Sequence, residues 1–258
     1  MTSASEWAAD DTDLRARRAK SFGPEAVAYE EHRPDYPLAG IRWALAPLDA
    51  PDPEVLDLAA GTGKLTEGLL AVGARVTAVE PDEAMRAEFR RRHEGVKALA
   101  GTAESIPLQD DSMDAVVVGQ ALHWFDQERA FPEIARVLRP GGVFAAFWNM
   151  HDVGVPWVAE LDRLSRSQVS FRTRTSGGTV DNPLFEEFVQ ADFPHAQRRT
   201  AESLTATIGT HSHTLVISPD ERAVLLDRIN TYLRGIPEVG DGEFDLPLRT
   251  LVIRSGVR

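Results

Sequence analysis

Alternating strand and helix signals predict an α/β fold: a mostly parallel sheet with helices on both faces. Two observations carry that expectation. Val55–Leu58, Arg75–Val79, Asp114–Val118 and Val143–Trp148 are short apolar runs with helix-patterned segments between them. Asp114–Val118 is apolar throughout after its first residue, the pattern of a strand covered on both faces. A chain of 258 residues, 43% hydrophobic, is long enough for one large domain of this kind or for one domain plus a lid.

Residues 1–20 are small and charged, end in LRARRAK, and read as a flexible arm. From residue 21 to 258 a single domain is expected. Helical patterning over Pro24–Leu48 is broken around Pro34 and Pro37. Strand Val55–Leu58 leads through a glycine-bearing stretch into a helix over Lys64–Val72. After Arg75–Val79, Pro81 is placed at the first position of a helix with Met85 and Phe89 on one face. Val96–Leu99 is a short strand. Phe131, Ile134, Val137 and Leu138 mark a helix stopped at Pro140-Gly141-Gly142, ahead of strand Val143–Trp148. The alternation lapses over residues 150–196, read as a lid inserted after the fifth strand, with helices at Val158–Ser167 and Asn182–Gln190. A strand at Gln197–Leu204 follows. Ser218-Pro219-Asp220-Glu221 is a capping box with proline at the first helical position. Its helix aligns Leu225, Leu226, Ile229, Tyr232 and Leu233 and ends at Gly235, and Phe244–Ile253 supplies the last strand.

The net charge of −12 argues against binding to nucleic acid through its phosphates. The chain has no cysteine, which excludes disulfides, a thiolate nucleophile and thiolate metal ligands. No apolar run approaches about 18 residues, and the N-terminus lacks the apolar core of a secretory signal. A cytoplasmic protein without a membrane or nucleic-acid partner is expected, its oligomeric state left open.

The site signal lies in EVLDLAAGTGKLT, Glu54–Thr66, and in Glu80, nineteen residues after Gly61. A strand running into a glycine turn and a helix, beside a strand ending in a carboxylate, makes a nucleoside site. The glycines admit the ligand to the backbone and the acid receives ribose hydroxyls. Spacing separates three ligand classes. The dinucleotide pattern G-x-G-x-x-G needs glycine where Lys64 or Thr66 stands. The P-loop pattern needs glycine at Leu58 and a hydroxyl at Leu65. What remains is D-x-A-x-G-x-G: Asp57, Ala59, Gly61 and Gly63.

With that motif the chain resembles the class I S-adenosylmethionine-dependent methyltransferases, whose first motif is usually [DE]-x-G-x-G-x-G. Ala59 replaces the first glycine and adds one methyl group at the turn. The resemblance runs from about Ser21 to the C-terminus and is strongest over Asp57–Trp148. It implies a Rossmann-like seven-stranded, mostly parallel sheet with an inserted lid between the fifth and sixth strands. It also implies S-adenosyl-L-methionine as cofactor, S-adenosyl-L-homocysteine as product, and no metal. Glu80 and Pro81 fall where the family holds the ribose, and Thr102-Ala103-Glu104 where it contacts adenine. The end of the strand Asp114–Gln120, with Ala121, falls where the family meets the methionine portion, and RVLRPGG, Arg136–Gly142, resembles the family's approach to the fifth strand. A narrower resemblance, in Phe22–Pro37 and Gln120–Trp124, is to the trans-aconitate-type small-molecule methyltransferases. In that subgroup a Tyr–Arg–Pro segment folds over the cofactor. Tyr29 and Arg33 are thereby implied near the methionine end, Arg33 for its carboxylate.

Gly61 and Gly63, with Thr62 between them, let the backbone approach the methionine part, and the helix starting near Lys64 adds partial positive charge for its carboxylate. Glu80 reads as the acceptor of both ribose hydroxyls, against a surface acid ahead of a proline-started helix, and Asp57 as ordering the turn. Met85 reads as adenine packing or as core, and Glu104 as an adenine contact or a helix cap. Methyl transfer is an in-line displacement that needs alignment and exclusion of water. A carboxylate acceptor is already ionised at neutral pH, whereas a hydroxyl usually needs a base. His123 and His151, both placed just beyond strand ends, are the candidate bases. The competing readings are a structural hydrogen bond for His123 and a solvent-facing position for His151. Trp124, Phe125, Trp148 and Trp157 gather near one sheet edge as an acceptor wall, as cation–π partners of the sulfonium, or as core. Arg172 and Arg174 attract an acceptor carboxylate or form a basic loop. His211 and His213 lack nearby matching acids or cysteines and read as a polar segment.

The expected activity is methyl transfer to a small-molecule acceptor at oxygen, a carboxylate ahead of a hydroxyl. Methylation of a peptide or other macromolecule, and cofactor binding without catalysis, are the alternatives. Amino-directed nucleic-acid methyltransferases carry Asn-Pro-Pro-aromatic after the fourth strand, where this chain has Gly119-Gln120-Ala121-Leu122.

Overall fold

The computed structural model describes residues 34–165, 182–209, 214, 217–240 and 242–258. In chain order the elements are α1 (Leu38–Leu45), β1 (Glu54–Leu58), α2 (Lys64–Ala71), β2 (Arg75–Val79), α3 (Glu83–Arg92), β3 (Lys97–Leu99) and β4 (Met113–Gly119). A 3-10 turn (Leu122–Trp124) leads to α4 (Gln127–Val137) and β5 (Leu138–His151). Then come α5 (Pro156–Ser165), β6 (Val189–Arg199), α6 (Ala201–Gly209), α7 (Pro219–Arg234) and β7 (Phe244–Gly256). The sheet has seven strands in the order β3-β2-β1-β4-β5-β7-β6. β1 pairs in parallel with β2 and β4, β2 with β3, and β4 with β5. β7 runs antiparallel to β5, from Val143↔Gly256 to His151↔Leu248.

By its internal contacts the chain divides into two units. Of the described residues, the sheet unit takes 34–152, 182–197 and 247–258. Its strands alternate in the direction of their side chains, as a pleated strand must. Leu56, Leu58, Val116 and Val118 pack on one face with Phe131, Ile134 and Val137 of α4 and with Phe185. Val55, Ala115 and Val117 pack on the other with Ile41 and Ala44 of α1 and Leu65 and Leu69 of α2. Helices on both faces explain why the central strands read as near-continuous apolar runs. Of the described residues, the helical unit takes 153–165, 198–209, 214, 217–240 and 242–246. There α7 packs on α5 and α6 and buries Leu225, Ile229 and Leu233. The expected capping box starts it: Glu221 N donates to Ser218 Oγ at 3.3 Å, and Ser218 N donates to the Glu221 carboxylate at 3.0 Å. Among the described residues no helix is long and apolar enough to cross a membrane.

The structure differs from the sequence reading in three places. Pro81 precedes α3, and the N-cap is Asp82, whose Oδ1 accepts from Met85 N at 2.9 Å. The Asp82 carboxylate makes that residue the better cap, which leaves Pro81 ahead of the cap rather than at the first position of the helix. β5 begins at Leu138 and runs through Pro140-Gly141-Gly142. Leu138 pairs with Met113, and the register then shifts so that Ala115 meets Val143, with Gly141 at φ +80°. Asn182–Gln190 is not helical: Leu184 N donates to Asn182 Oδ1 at 3.0 Å in a tight turn, and buried Phe185 bridges to Val257. The sixth strand therefore starts at Val189, ahead of the expected Gln197, and residues 201–209 form a helix. β6 is the edge strand, which is where an exposed Pro194 is tolerated.

Candidate functional site

β1 ends on the buried carboxylate of Asp57, whose Oδ2 accepts from Thr66 Oγ1 of α2 at 2.6 Å. The chain then turns with Ala59 at φ +57°, Gly61 at +58° and Gly63 at +98°. Ala60 N donates to Val79 O at 3.1 Å and Gly63 N to Ala60 O at 3.0 Å, which ties the turn to the end of β2 and to itself. The two glycines serve different needs. A β-carbon on Gly61 would meet no atom within 4 Å, so its surface is open to a ligand. A β-carbon on Gly63 would stand 2.2 Å from His93 Nε2, so its bare backbone makes room for the end of α3.

Glu80 follows β2, and its carboxylate is pinned from both sides. Gly61 N donates to Oε2 at 3.0 Å and Asp82 N to Oε1 at 2.8 Å. Each oxygen keeps acceptor capacity for a further donor. The Arg86 guanidinium donates to Glu80 O and Pro81 O, both at 2.8 Å, and fixes the turn beneath. Burial raises the pKa of Glu80, and the two backbone N–H groups oppose that rise. Burial pushes Asp57 up to about 7, against the Thr66 hydrogen bond and with help from the Glu80 charge. Asp57 Oδ1 and Thr62 Oγ1 are buried without a protein hydrogen-bond partner. Orphaned polar atoms beside an open glycine are what a bound polar ligand satisfies. A two-oxygen acceptor oriented by backbone N–H groups suits a ribose diol, so the residues present fit S-adenosylmethionine.

The remaining expected residues are spread over several elements. Met85 is buried on α3, and Pro81 is exposed. Thr102 is exposed, Ala103 is buried, and Glu104 Oε1 accepts from Asp126 N at 3.0 Å, holding the residue just ahead of α4. Gln120, just past β4, is held at φ +57°. Its N donates to Phe147 O and its Nε2 to Asn149 O, both at 2.8 Å. A non-glycine residue in that conformation is strained by about 1–2 kcal/mol, and such strain gathers at functional sites. Ala121 is buried and leads into the 3-10 turn. On that turn His123 is exposed, its ring 4.5 Å from that of Trp124. Trp148 lies half-buried in β5, and His151 is the last residue of that strand, paired with Leu248. Trp157 belongs to the helical unit, where its ring lies edge-on to Phe244 at 5.8 Å and its carbonyl accepts from Tyr232 Oη at 3.0 Å. Tyr29, Arg33, Arg172, Arg174, His211 and His213 lie outside the described residues. Sequence reasoning missed Thr66, Arg86, His93 and Asn149. Thr66 and Arg86 stood inside or beside the motif already read; His93 and Asn149 carry no local signal, because their contacts are long-range.

A family profile for a methyltransferase domain matches residues 56–146. An uncharacterized methyltransferase of Mycobacterium tuberculosis is 38% identical over 246 residues, covering 95% of this chain and 98% of the relative. A malonyl-[acyl-carrier protein] O-methyltransferase of Methylococcus capsulatus is 37% identical over 149 residues, covering 52% of each chain. Among solved structures, one from Anaeromyxobacter dehalogenans, assigned as a type II methyltransferase, superimposes with a TM-score of 0.65 at 30% identity, covering 87% of this chain and 97% of that one. The chain belongs to the class I S-adenosylmethionine-dependent methyltransferases, and the strand order and glycine turn are those expected of that class.

Proposed function

We propose that this methyltransferase alkylates an oxygen of a small-molecule acceptor, a carboxylate ahead of a hydroxyl, as a member of the trans-aconitate-type subgroup that Phe22–Pro37 and Gln120–Trp124 resemble. The observation that carries the cofactor side is the Glu80 carboxylate, pinned by Gly61 N and Asp82 N beside an open glycine turn. The bound cofactor supplies an electrophilic methyl group on a sulfonium. Around it, Glu80 accepts the ribose hydroxyls, Gly61, Thr62 and Gly63 line the methionine part, and Met85, Thr102 and Ala103 line the base. Gln120 and Ala121 border the transferring end. Trp124 and Trp148 form an apolar wall that excludes water from the reacting atoms. The acceptor side is supported by the half-length match to an O-methyltransferase. An ionised carboxylate also needs no base, which suits a chain whose candidate base His123 is exposed, its ring tilted against that of Trp124. The proposed setting is the cytoplasm, with a small molecule as partner.

Incubation with methyl-labelled cofactor and a panel of small carboxylic acids and phenols tests this reading. Label that mild alkali releases identifies a methyl ester, the expected product. Label in phenols only, resistant to alkali, reverses the carboxylate preference, and label confined to peptide or protein overturns the small-molecule assignment.

A further inference from the structure

We infer that Asn149 is a positioning residue for the methionine end of the cofactor site, acting through the segment Pro34–Tyr36 that it holds against the ends of β4 and β5. The inference rests on the reading of the strand ends as the cofactor site. Its observations are independent of the glycine motif.

The Asn149 amide is used on both sides. Its Nδ2 donates to Pro34 O and Asp35 O, each at 3.1 Å, and its Oδ1 accepts from Thr250 Oγ1 at 2.5 Å. Thr250 is fully buried and stands directly opposite Asn149 in the β5–β7 register. Thr250 thus fixes which way the amide faces, and the amide fixes two consecutive carbonyls of an otherwise irregular segment. The main-chain oxygen of Asn149 accepts from Gln120 Nε2 at 2.8 Å, so the strained end of β4 is tied to the same residue.

The segment is fastened at two further points. Lys64 Nζ, at the start of α2, reaches Asp35 Oδ1 at 3.1 Å. Tyr36 is buried edge-on to Phe147, with ring centroids 5.8 Å apart. A β-carbon on Gly119 would stand 2.6 Å from the Tyr36 hydroxyl oxygen, so that hydroxyl lies on the last residue of β4. The sheet order places these contacts: β4 and β5 lie across β1 from β2. A ligand with its ribose at Glu80, just past β2, extends its tail over β1 toward β4. Residues 34–36 form a wall there, and Asn149 sets where that wall stands.

A purely structural role for Asn149 and a positioning role differ in what they do to two related ligands. S-Adenosylhomocysteine and 5′-methylthioadenosine share the adenine, ribose and sulfur. Only the first carries the amino-acid tail. Calorimetric titration of the full chain with each ligand should show Asn149→Ala weakening S-adenosylhomocysteine about tenfold, the size of a lost pair of neutral hydrogen bonds. Binding of 5′-methylthioadenosine should change by less than about twofold. Thr250→Val should reduce the tailed ligand selectively and Thr250→Ser should restore it; this pair decides the matter if Asn149→Ala fails to fold. Equal loss of both ligands, or loss of neither, overturns the positioning role. Wild-type protein that binds neither ligand overturns the cofactor-site reading itself, and the inference with it.

Discussion

Gly63 and His93 are packed so closely that neither leaves room for a larger neighbour: a β-carbon on Gly63 would lie 2.2 Å from His93 Nε2 and 3.0 Å from a Phe89 ring carbon. The His93 and Phe89 rings pack in a tilted pair with centroids 4.8 Å apart, so the end of α3 is locked against the glycine turn. Gly63→Ala should therefore destabilise the protein by about 2–4 kcal/mol, from left-handed strain plus overpacking. Gly61→Ala, which meets no neighbour, should lose about 1 kcal/mol or less, the left-handed strain being partly offset by alanine's smaller loss of backbone entropy. Urea denaturation measures both. His93→Ala should recover part of the Gly63→Ala loss in the double variant, and strict additivity of the two would sever the link.

Ala59 occupies a left-handed conformation, φ +57°, at the position where the family usually has glycine. Alanine is strained there by about 1–2 kcal/mol, and glycine loses about 0.5–1 kcal/mol more backbone entropy on folding. Ala59→Gly should be neutral or stabilising by up to about 1 kcal/mol, one of few sites where adding a glycine helps. A lowered melting temperature for this variant would mean that the Ala59 methyl group makes contacts worth more than its strain.

Asp57 should give stability a distinctive pH dependence. Burial raises its pKa from 3.8 to about 7, so between those values the folded chain holds a proton that the unfolded chain releases. Its contribution is fully present below about pH 4, falls as pH rises toward 7, and is flat above. The slope is at most about 1.4 kcal/mol per pH unit. Asp57→Asn removes that term. Melting curves from pH 4.5 to 7.5 should show the wild type losing ground to the variant as pH rises. Parallel pH profiles would mean that Asp57 is ionised in the folded protein throughout that range.

Phe185 is fully buried among Phe131, Phe144 and Phe188, with ring centroids 5.6, 5.8 and 6.0 Å away. Phe185→Ala should destabilise by about 3–5 kcal/mol. A loss below about 1 kcal/mol, read from chemical denaturation, would show that this segment does not belong to the core of the sheet unit.

Phe185 also marks where the sequence stops being legible. The glycine turn and β1, β2 and β4 announce themselves because a doubly covered parallel strand is apolar at nearly every position, and because few residues but glycine suit a turn of left-handed backbone. β6 has the two-residue alternation of burial, but Gln190, Asp192, Gln197 and Arg198 leave few apolar residues to mark it. α6 hides behind threonines that favour strands. Thr205 and Thr207 turn their hydroxyls back onto Ala201 O and Ser203 O at 2.8 and 2.9 Å, which satisfies them within the helix. The start of that helix does carry a local signal, a threonine cap: Thr200 Oγ1 accepts from Ser203 N at 3.2 Å. In the site, Asp57, Gly61, Gly63 and Glu80 were readable because they carry their meaning in local spacing. Asn149 was not, since its partners Pro34, Asp35 and Thr250 are about a hundred residues away along the chain.

The most direct measurement is calorimetric titration of S-adenosylhomocysteine into wild-type protein and Glu80→Ala, with NADH as a control. The wild type should bind the thioether and not NADH, and the variant should bind about a hundredfold more weakly, as expected for losing hydrogen bonds to a charged acceptor. Equal affinity in the two proteins would remove Glu80 from the cofactor site. Absence of binding to the folded wild type would contradict the assignment of these strand ends altogether.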